Sequence, residues 1–335
     1  MRAATNRRRF VAGLAGTSAT LLAGGAPSFA DEAPPETTTV RLPKNGNICF
    51  APLCIAEELL RAEGFTDVRF VSTPGGFTFP ELVARKQIDF GASFAGAVVF
   101  HLDAGVPFTT LAGLHSGCYE LFVHEPVRTI ADLKGKRVAI TTLTSSAHLY
   151  LSIIAAHVGL DPTRDIAWVT SSDVPPIELF AAGETDAFLG FPPEPQELRA
   201  RKVGRVILST AADKPWSQYF CCMVFSSRDF VAAYPVATKR ALRAILKAAD
   251  FCAAAPEVAA RQLVDGGFAE RYDYALQTVR EVPYDRWREY DPEDTVRFYS
   301  LRLQEIGMIK STPDKIIAQG TDWRFLNEIK YELKL

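Results

Sequence analysis

The chain has 335 residues, 48% of them hydrophobic and 23% charged, with a formal net charge of −2. That composition belongs to an ordinary globular protein long enough for two domains, and it excludes a low-complexity or disordered chain. Without a basic stripe or a basic amphipathic helix, a nucleic-acid partner and electrostatic attachment to an anionic membrane are excluded as well.

Residues 1–30 differ from the rest. Asn6, Arg7, Arg8, Arg9 and Phe10 precede a modestly apolar run, 11–22, too short and too rich in Gly, Ala and Thr to span a bilayer. Ser28 and Ala30 then place small residues at −3 and −1 of a cut before Asp31. This is the pattern of a twin-arginine export signal, which predicts a periplasmic protein. The segment holds four arginines and no acid, so its removal leaves a net charge of −6. Residues 31–38 form a polar leader.

The first strand is expected at 39–42, followed by an amphipathic helix over 51–62 that Gly64 closes. Strands at 68–71 and 90–92 flank a loop at 73–76. A helix over 95–104, a strand at 108–114, a break at 115–117 and extended structure at 121–123 come next. A short helix at 130–133 and a Gly turn lead to a strand ending at Ile140. Ser145 or Ser146 caps a helix that runs to Val158. Strands are then read at 166–169, 187–189, 205–208 and 219–225. From Tyr234 onward the pattern is helical, with segments at 237–254, 258–264 and 294–306. Strands alternating with helices up to about residue 225 predict parallel, doubly wound α/β sheets.

One phrase occurs twice. Glu81, Leu82, Ala84 and Asp89 recur at a constant offset as Glu178, Leu179, Ala181 and Asp186. Each copy reads as a helix, a polar turn, and an Asp opening a buried strand, which predicts two similar lobes.

Several phrases in order resemble one family. They are 84–91, with Lys86 where the family carries Gly, then 130–140, 145–148, 159–162, 181–187 and 191–195. On these the chain is similar to the type II periplasmic solute-binding proteins of ABC importers, in the branch that handles nitrate, sulfonates and thiamine-pyrimidine precursors. The resemblance covers roughly residues 40–330 and implies two lobes, 39–117 plus 222–335 and 118–221, with a ligand cleft between them. It implies a small-molecule solute, delivery to an ABC permease and its ATPase, and a monomer, with no cofactor.

Candidate ligand contacts follow. Thr142, Ser145 and Ser146 lie in a strand-to-helix turn whose hydroxyls and free amides suit an anion. Thr144 stands where the family often has Gly. His148 is just inside that helix. Ser93 and Phe94 would face the turn across the cleft, and Asn47 and Phe50 supply the loop after the first strand. Glu194 follows two prolines and could accept from an N–H group of the ligand. Tyr119 and Tyr219 lie on the implied lobe crossings and offer flat walls.

Five histidines without close spacing give a metal site little support. The six cysteines are expected to be mostly buried thiols rather than a disulfide scaffold. Cys221 and Cys222 resemble faintly the cysteine-rich strand of the eukaryotic thiamine-pyrimidine synthase, an iron-dependent enzyme related to this family; they are better read as small buried residues. The expected function is therefore an exported receptor for a sulfonate, aromatic carboxylate or pyrimidine-like solute and not an enzyme. A synthase-like enzyme and a ligand-sensing binding protein are the alternatives.

Overall fold

The computed structural model describes residues 32–72 and 78–333. The export signal and the loop expected at 73–76 therefore lie outside the described residues. Pro34 onward forms one compact unit. Ten strands define it: β1 (Thr39–Lys44), β2 (Asp67–Ser72), β3 (Phe90–Phe94), β4 (Phe108–Ser116), β5 (Glu120–Val123), β6 (Lys136–Ala139), β7 (Ile166–Val169), β8 (Ala187–Gly190), β9 (Arg205–Ser209) and β10 (Phe220–Ser227).

The strands form two groups. β1 pairs with β2, and β3, β10 and β4 make a three-stranded sheet in that order; the second group is the five-stranded sheet β7-β6-β8-β5-β9. The two-lobed α/β architecture is thus as expected, but the sheets are mixed rather than parallel. β10 runs antiparallel to both β3 and β4, and β5 runs antiparallel to both β8 and β9. β5 and β10 are the first strands after each passage of the chain between the groups, and both enter their sheets against the local direction.

The repeated phrase has one physical job. Asp89 accepts the Arg41 amide at 2.7 Å while its own amide donates to the Arg41 carbonyl at 2.8 Å. Asp186 does the same for Arg137, at 2.8 Å in both directions. Each Asp therefore clips the start of β3 or the approach to β8 onto a neighbouring strand. The turn before each clip needs a left-handed residue, which is Lys86 (φ 59°) in one copy and Gly183 (φ 75°) in the other. Glycine adopts that region freely, whereas lysine does so at a cost of about 1–2 kcal/mol.

Two helix expectations need correction. The run 51–62 breaks into Ala51–Cys54 and Glu57–Ala62 around Ile55 and Ala56. Glu194 does not stand in a loop but opens the helix Glu194–Arg201. The tail is helical, as expected: Pro235–Ala254, Pro256–Asp265 and Pro292–Glu305 answer the three segments read there, and Tyr272–Glu281, Pro313–Gly320 and Arg324–Glu332 are further helices. The longest of these buries Arg243 at 2% exposure, where its Nε donates to Glu63 at 2.9 Å and its Nη1 to Glu332 at 2.8 Å. Burial opposes ionisation of Glu63, but Arg243 and Lys247 hold its carboxyl below the usual range.

Candidate functional site

A cleft of about 420 Å³ lies between elements of the two strand groups. That is within the range of small-molecule sites. On one side stand Asn47, Cys49 and Phe50 after β1, Thr78 and Phe79 at the next helix start, and Ser93, Phe94, Ala97 and His101 along β3 and its helix. The facing side is Tyr119, the turn from Thr141 to Ala147, and Phe191, with Cys222 reaching it from β10.

Eight of the eleven expected contacts therefore meet here: Asn47, Phe50, Ser93, Phe94, Tyr119, Thr142, Ser145 and Ser146. Their aromatic members are fixed by packing. The Phe94 ring stacks on Tyr150 at 4.1 Å and meets Tyr299 edge-on at 5.0 Å. Tyr119 packs against Phe191 at 5.5 Å, and Phe50 meets Phe79 edge-on at 5.9 Å. Rings locked in this way give walls that lose little freedom when a ligand enters.

The polar part is the start of the helix Ser146–His157. The Ser145 side chain caps it by accepting the His148 amide at 3.4 Å. Amides of a first helical turn have no partner within the helix, and with the helix dipole they favour negative charge. Thr144 has φ 80°, a left-handed conformation that a β-branched residue adopts only under constraint. The constraint is visible: its amide donates to His148 Nδ1 at 3.1 Å.

The other three expected contacts are elsewhere. His148 is 7% exposed, edge-on to Trp168 at 4.6 Å, and bonded to the Thr144 amide; burial lowers its pKa, so it is a neutral brace for the turn. Tyr219 stacks on Phe298 at 3.9 Å, away from the cleft. Glu194 turns back on its own loop, accepting the Phe191 amide at 3.1 Å. Burial pushes its carboxyl up to about 8, with Glu197 and Cys49 adding to the rise. Its neighbour Phe191, not Glu194, reaches the cleft.

Sequence reasoning missed Thr78, Phe79, His101, Phe191, Cys49 and Cys222. His101 and Phe79 sit on helices whose inward faces depend on lobe packing, so no local signal marks them. Burial lowers the His101 pKa, and no Lys or Arg lines the cleft among the described residues. Three larger hollows lie elsewhere, two of about 570 Å³ and one of about 500 Å³. The first is floored by ion pairs already satisfied, Arg41 with Asp89 at 2.6 Å and Lys86 with Asp229 at 2.8 Å.

All six cysteines are buried free thiols, as expected. Three of them meet a histidine, which was not expected. Cys49, His115, Cys118 and Cys222 bring one sulfur or nitrogen each to within 4.8 Å of one another. Cys221 lies behind them, its Sγ 3.4 Å from Cys118 Sγ. Hydrogen bonds from Cys118 and Cys222 draw the Cys49 thiol well below its ordinary range, whereas burial pushes Cys118 and Cys222 up.

Two lobes built on these sheets, with a cleft between them, define the periplasmic binding protein fold. The chain belongs to the NMT1-like family, whose sequence profile matches residues 33–264. No curated protein sequence matches the chain. Among solved structures it is similar to the periplasmic nitrate-binding protein NrtA from Synechocystis PCC 6803, with a TM-score of 0.75, 17% identity, and 90% of each chain covered. It is also similar to the sulfonate-binding protein SsuA from Methylobacillus flagellatus KT (TM-score 0.66, 20% identity, 89% of this chain and 96% of that one). SsuA from Xanthomonas axonopodis pv. citri, bound to MOPS, gives a TM-score of 0.66 at 19% identity over 82% and 96% of the two chains.

Proposed function

We propose that this protein is the exported substrate-binding component of an ABC importer and that it captures one small organic solute in the cleft. The division into 39–117 plus 222–335 and 118–221 gives two bodies that close on the solute by a hinge motion, and the closed form docks on the permease. Export of the folded protein through the twin-arginine pathway fits the arginine-led N-terminus. Among the described residues no helix is long and apolar enough to cross a membrane.

The observation that carries the reading is the composition of the cleft: five aromatic rings, Phe50, Phe79, Phe94, Tyr119 and Phe191, line it together with a hydroxyl-rich turn at a helix start, and among the described residues no Lys or Arg does. Neutral donors of that kind suit a single negative charge or a polar ring edge, and the rings suit a flat or apolar body. An aromatic or alkyl sulfonate, an aromatic carboxylate or a pyrimidine fits better than nitrate, which has no apolar body to bury. The MOPS-bound and nitrate-binding relatives mark the range of solutes on this fold.

Isothermal titration of the purified protein against aryl and alkyl sulfonates, benzoates, pyrimidines and nitrate tests it. One organic class should bind with a stoichiometry of one, and Tyr119→Ala and Ser145→Ala should each weaken it at least tenfold. Preference for nitrate, binding unaffected by both substitutions, or chemical conversion of the bound compound would overturn the reading.

A further inference from the structure

The cysteine and histidine groups beneath the cleft come from three separate stretches of chain. Cys49 lies in the turn after β1, His115 and Cys118 flank the end of β4, and Cys222 is in β10. All four are buried, at 2%, 0%, 7% and 2% exposure. Local geometry is adapted to gather them. Gly117 stands between His115 and Cys118 at φ +37°, where an added Cβ would fall 2.2 Å from the Ala211 backbone, so only glycine lets the chain turn there. The β10–β4 register shifts on both sides of Cys222. Such bulges re-aim side chains, and this one brings the sulfurs of consecutive residues to within 4.0 Å instead of onto opposite faces.

His115 supplies the second observation. Its Nδ1 lies 3.1 Å from the Ser116 carbonyl, which can only accept, so Nδ1 carries a proton and, in the neutral ring, Nε2 carries the lone pair. Nε2 is buried without a partner at full hydrogen-bond geometry, and the Cys49 thiol is the acid that interacts with the ring. A buried acceptor left alone costs free energy and calls for an explanation. A histidine whose other nitrogen is held by a backbone carbonyl is oriented as a metal ligand is.

We propose that Cys49, His115, Cys118 and Cys222 form a binding site for one soft or borderline transition-metal ion, with Zn²⁺ the ion this donor set suits best. Metal–sulfur bonds of about 2.3 Å and a metal–nitrogen bond of about 2.0 Å put tetrahedral ligand atoms about 3.5–3.8 Å apart. The four atoms, already within 4.8 Å of one another, reach that by small side-chain rotations. The ion takes up the Nε2 lone pair and converts three thiols to thiolates, releasing their protons. Because Cys49 and Cys222 also line the cleft, the ion sits at its floor, close to where a solute lies.

The test is a titration of the full chain, reduced and stripped by chelator, with Co²⁺ alone. One equivalent should bring the near-ultraviolet sulfur-to-cobalt charge-transfer band and the visible absorption of a tetrahedral ion, and one equivalent of Zn²⁺ should bleach both. Cys222→Ser and His115→Ala should lower cobalt affinity at least tenfold with the circular dichroism of the parent protein retained. Cys54→Ser and Cys252→Ser, buried thiols outside the cluster, should leave it unchanged. Absence of the charge-transfer band in the unsubstituted protein overturns the proposal whether or not any variant folds. So does a Cys222→Ser protein that binds cobalt with the parent's affinity, or mass mapping that finds Cys118 joined to Cys221 in a disulfide whose reduction yields no cobalt binding.

Discussion

Replacing Glu194 with Gln separates what its charge does from what its shape does. The side chain accepts the Phe191 amide, a bond that the Gln carbonyl oxygen can keep. In the folded protein the carboxyl stays protonated up to about 8, against 4.5 for an unburied glutamate. An acid whose folded pKa is raised ionises first in the unfolded chain. Stability is therefore intact below pH 4.5, falls as pH rises from 4.5 to about 8, and levels off above. The gap corresponds to about 4–5 kcal/mol for a fully dry group, and water on the exposed part of the side chain reduces it to about 2–3 kcal/mol. For a protein of this size that is a melting-temperature difference of about 5 °C. Scanning calorimetry of parent and Glu194→Gln at pH 5 and pH 9 measures it. The two should melt together at pH 5, and the variant should melt about 5 °C higher at pH 9. Every other titrating group is common to both proteins, so an equal difference at the two pH values would refute the assignment of a buried neutral acid.

Thr144→Gly should relieve the left-handed strain of about 1–2 kcal/mol and lose about 0.5–1 kcal/mol to unfolded-chain entropy, a net gain of roughly 0.5–1 kcal/mol by urea denaturation; a net loss would show that the exposed threonine side chain stabilises the turn. Arg243→Met leaves Glu63 buried with Lys247 as its remaining cation, and should cost about 3–5 kcal/mol, part of which returns in the double variant with Glu63→Gln. A cost equal in single and double variants would deny the pairing. Asp89→Ala and Asp186→Ala should both destabilise, by about 2–3 and 1–1.5 kcal/mol, because the Asp89 side chain is 7% exposed and that of Asp186 30%. The reverse order would refute the shared role of the repeat.

The repeat shows why much of the fold was legible. Its Asp, its turn residue and its apolar strand are short-range features, and short-range physics places them identically in both lobes. Three helices of the tail were legible to within two residues of their starts, at 237, 258 and 294, where Pro235, Pro256 and Pro292 occupy the first helical positions at which the missing N–H costs nothing; the helix that Pro313 opens was not read. Strand direction was not legible. Alternation predicts that a strand exists, but whether β10 runs with or against β3 depends on where the chain has been for the hundred or so residues between. The site divides along the same line. The hydroxyls of the turn from Thr142 to Ser146 announce themselves locally as a helix start. His148 and Glu194 looked like ligands because of their chemistry, yet each had a backbone amide within four residues to accept, and the near partner won. The cysteine and histidine cluster was hidden for the opposite reason: only His115 and Cys118 are close in sequence, and folding alone brings Cys49 and Cys222 to them.

The position of β10 between β3 and β4 also sets an order of events during synthesis. When β3 and β4 have left the ribosome, the place between them is empty, and the strand that fills it emerges only after all of β5 to β9. The five-stranded sheet can close while the other still shows two unsatisfied strand edges. Such edges are where chains aggregate, and long-range pairing of this kind is slow. The vulnerable species is thus a nascent chain of about 220 residues with one finished half. A variant that weakens β10 is expected to lower the yield of protein before it changes anything the finished molecule does.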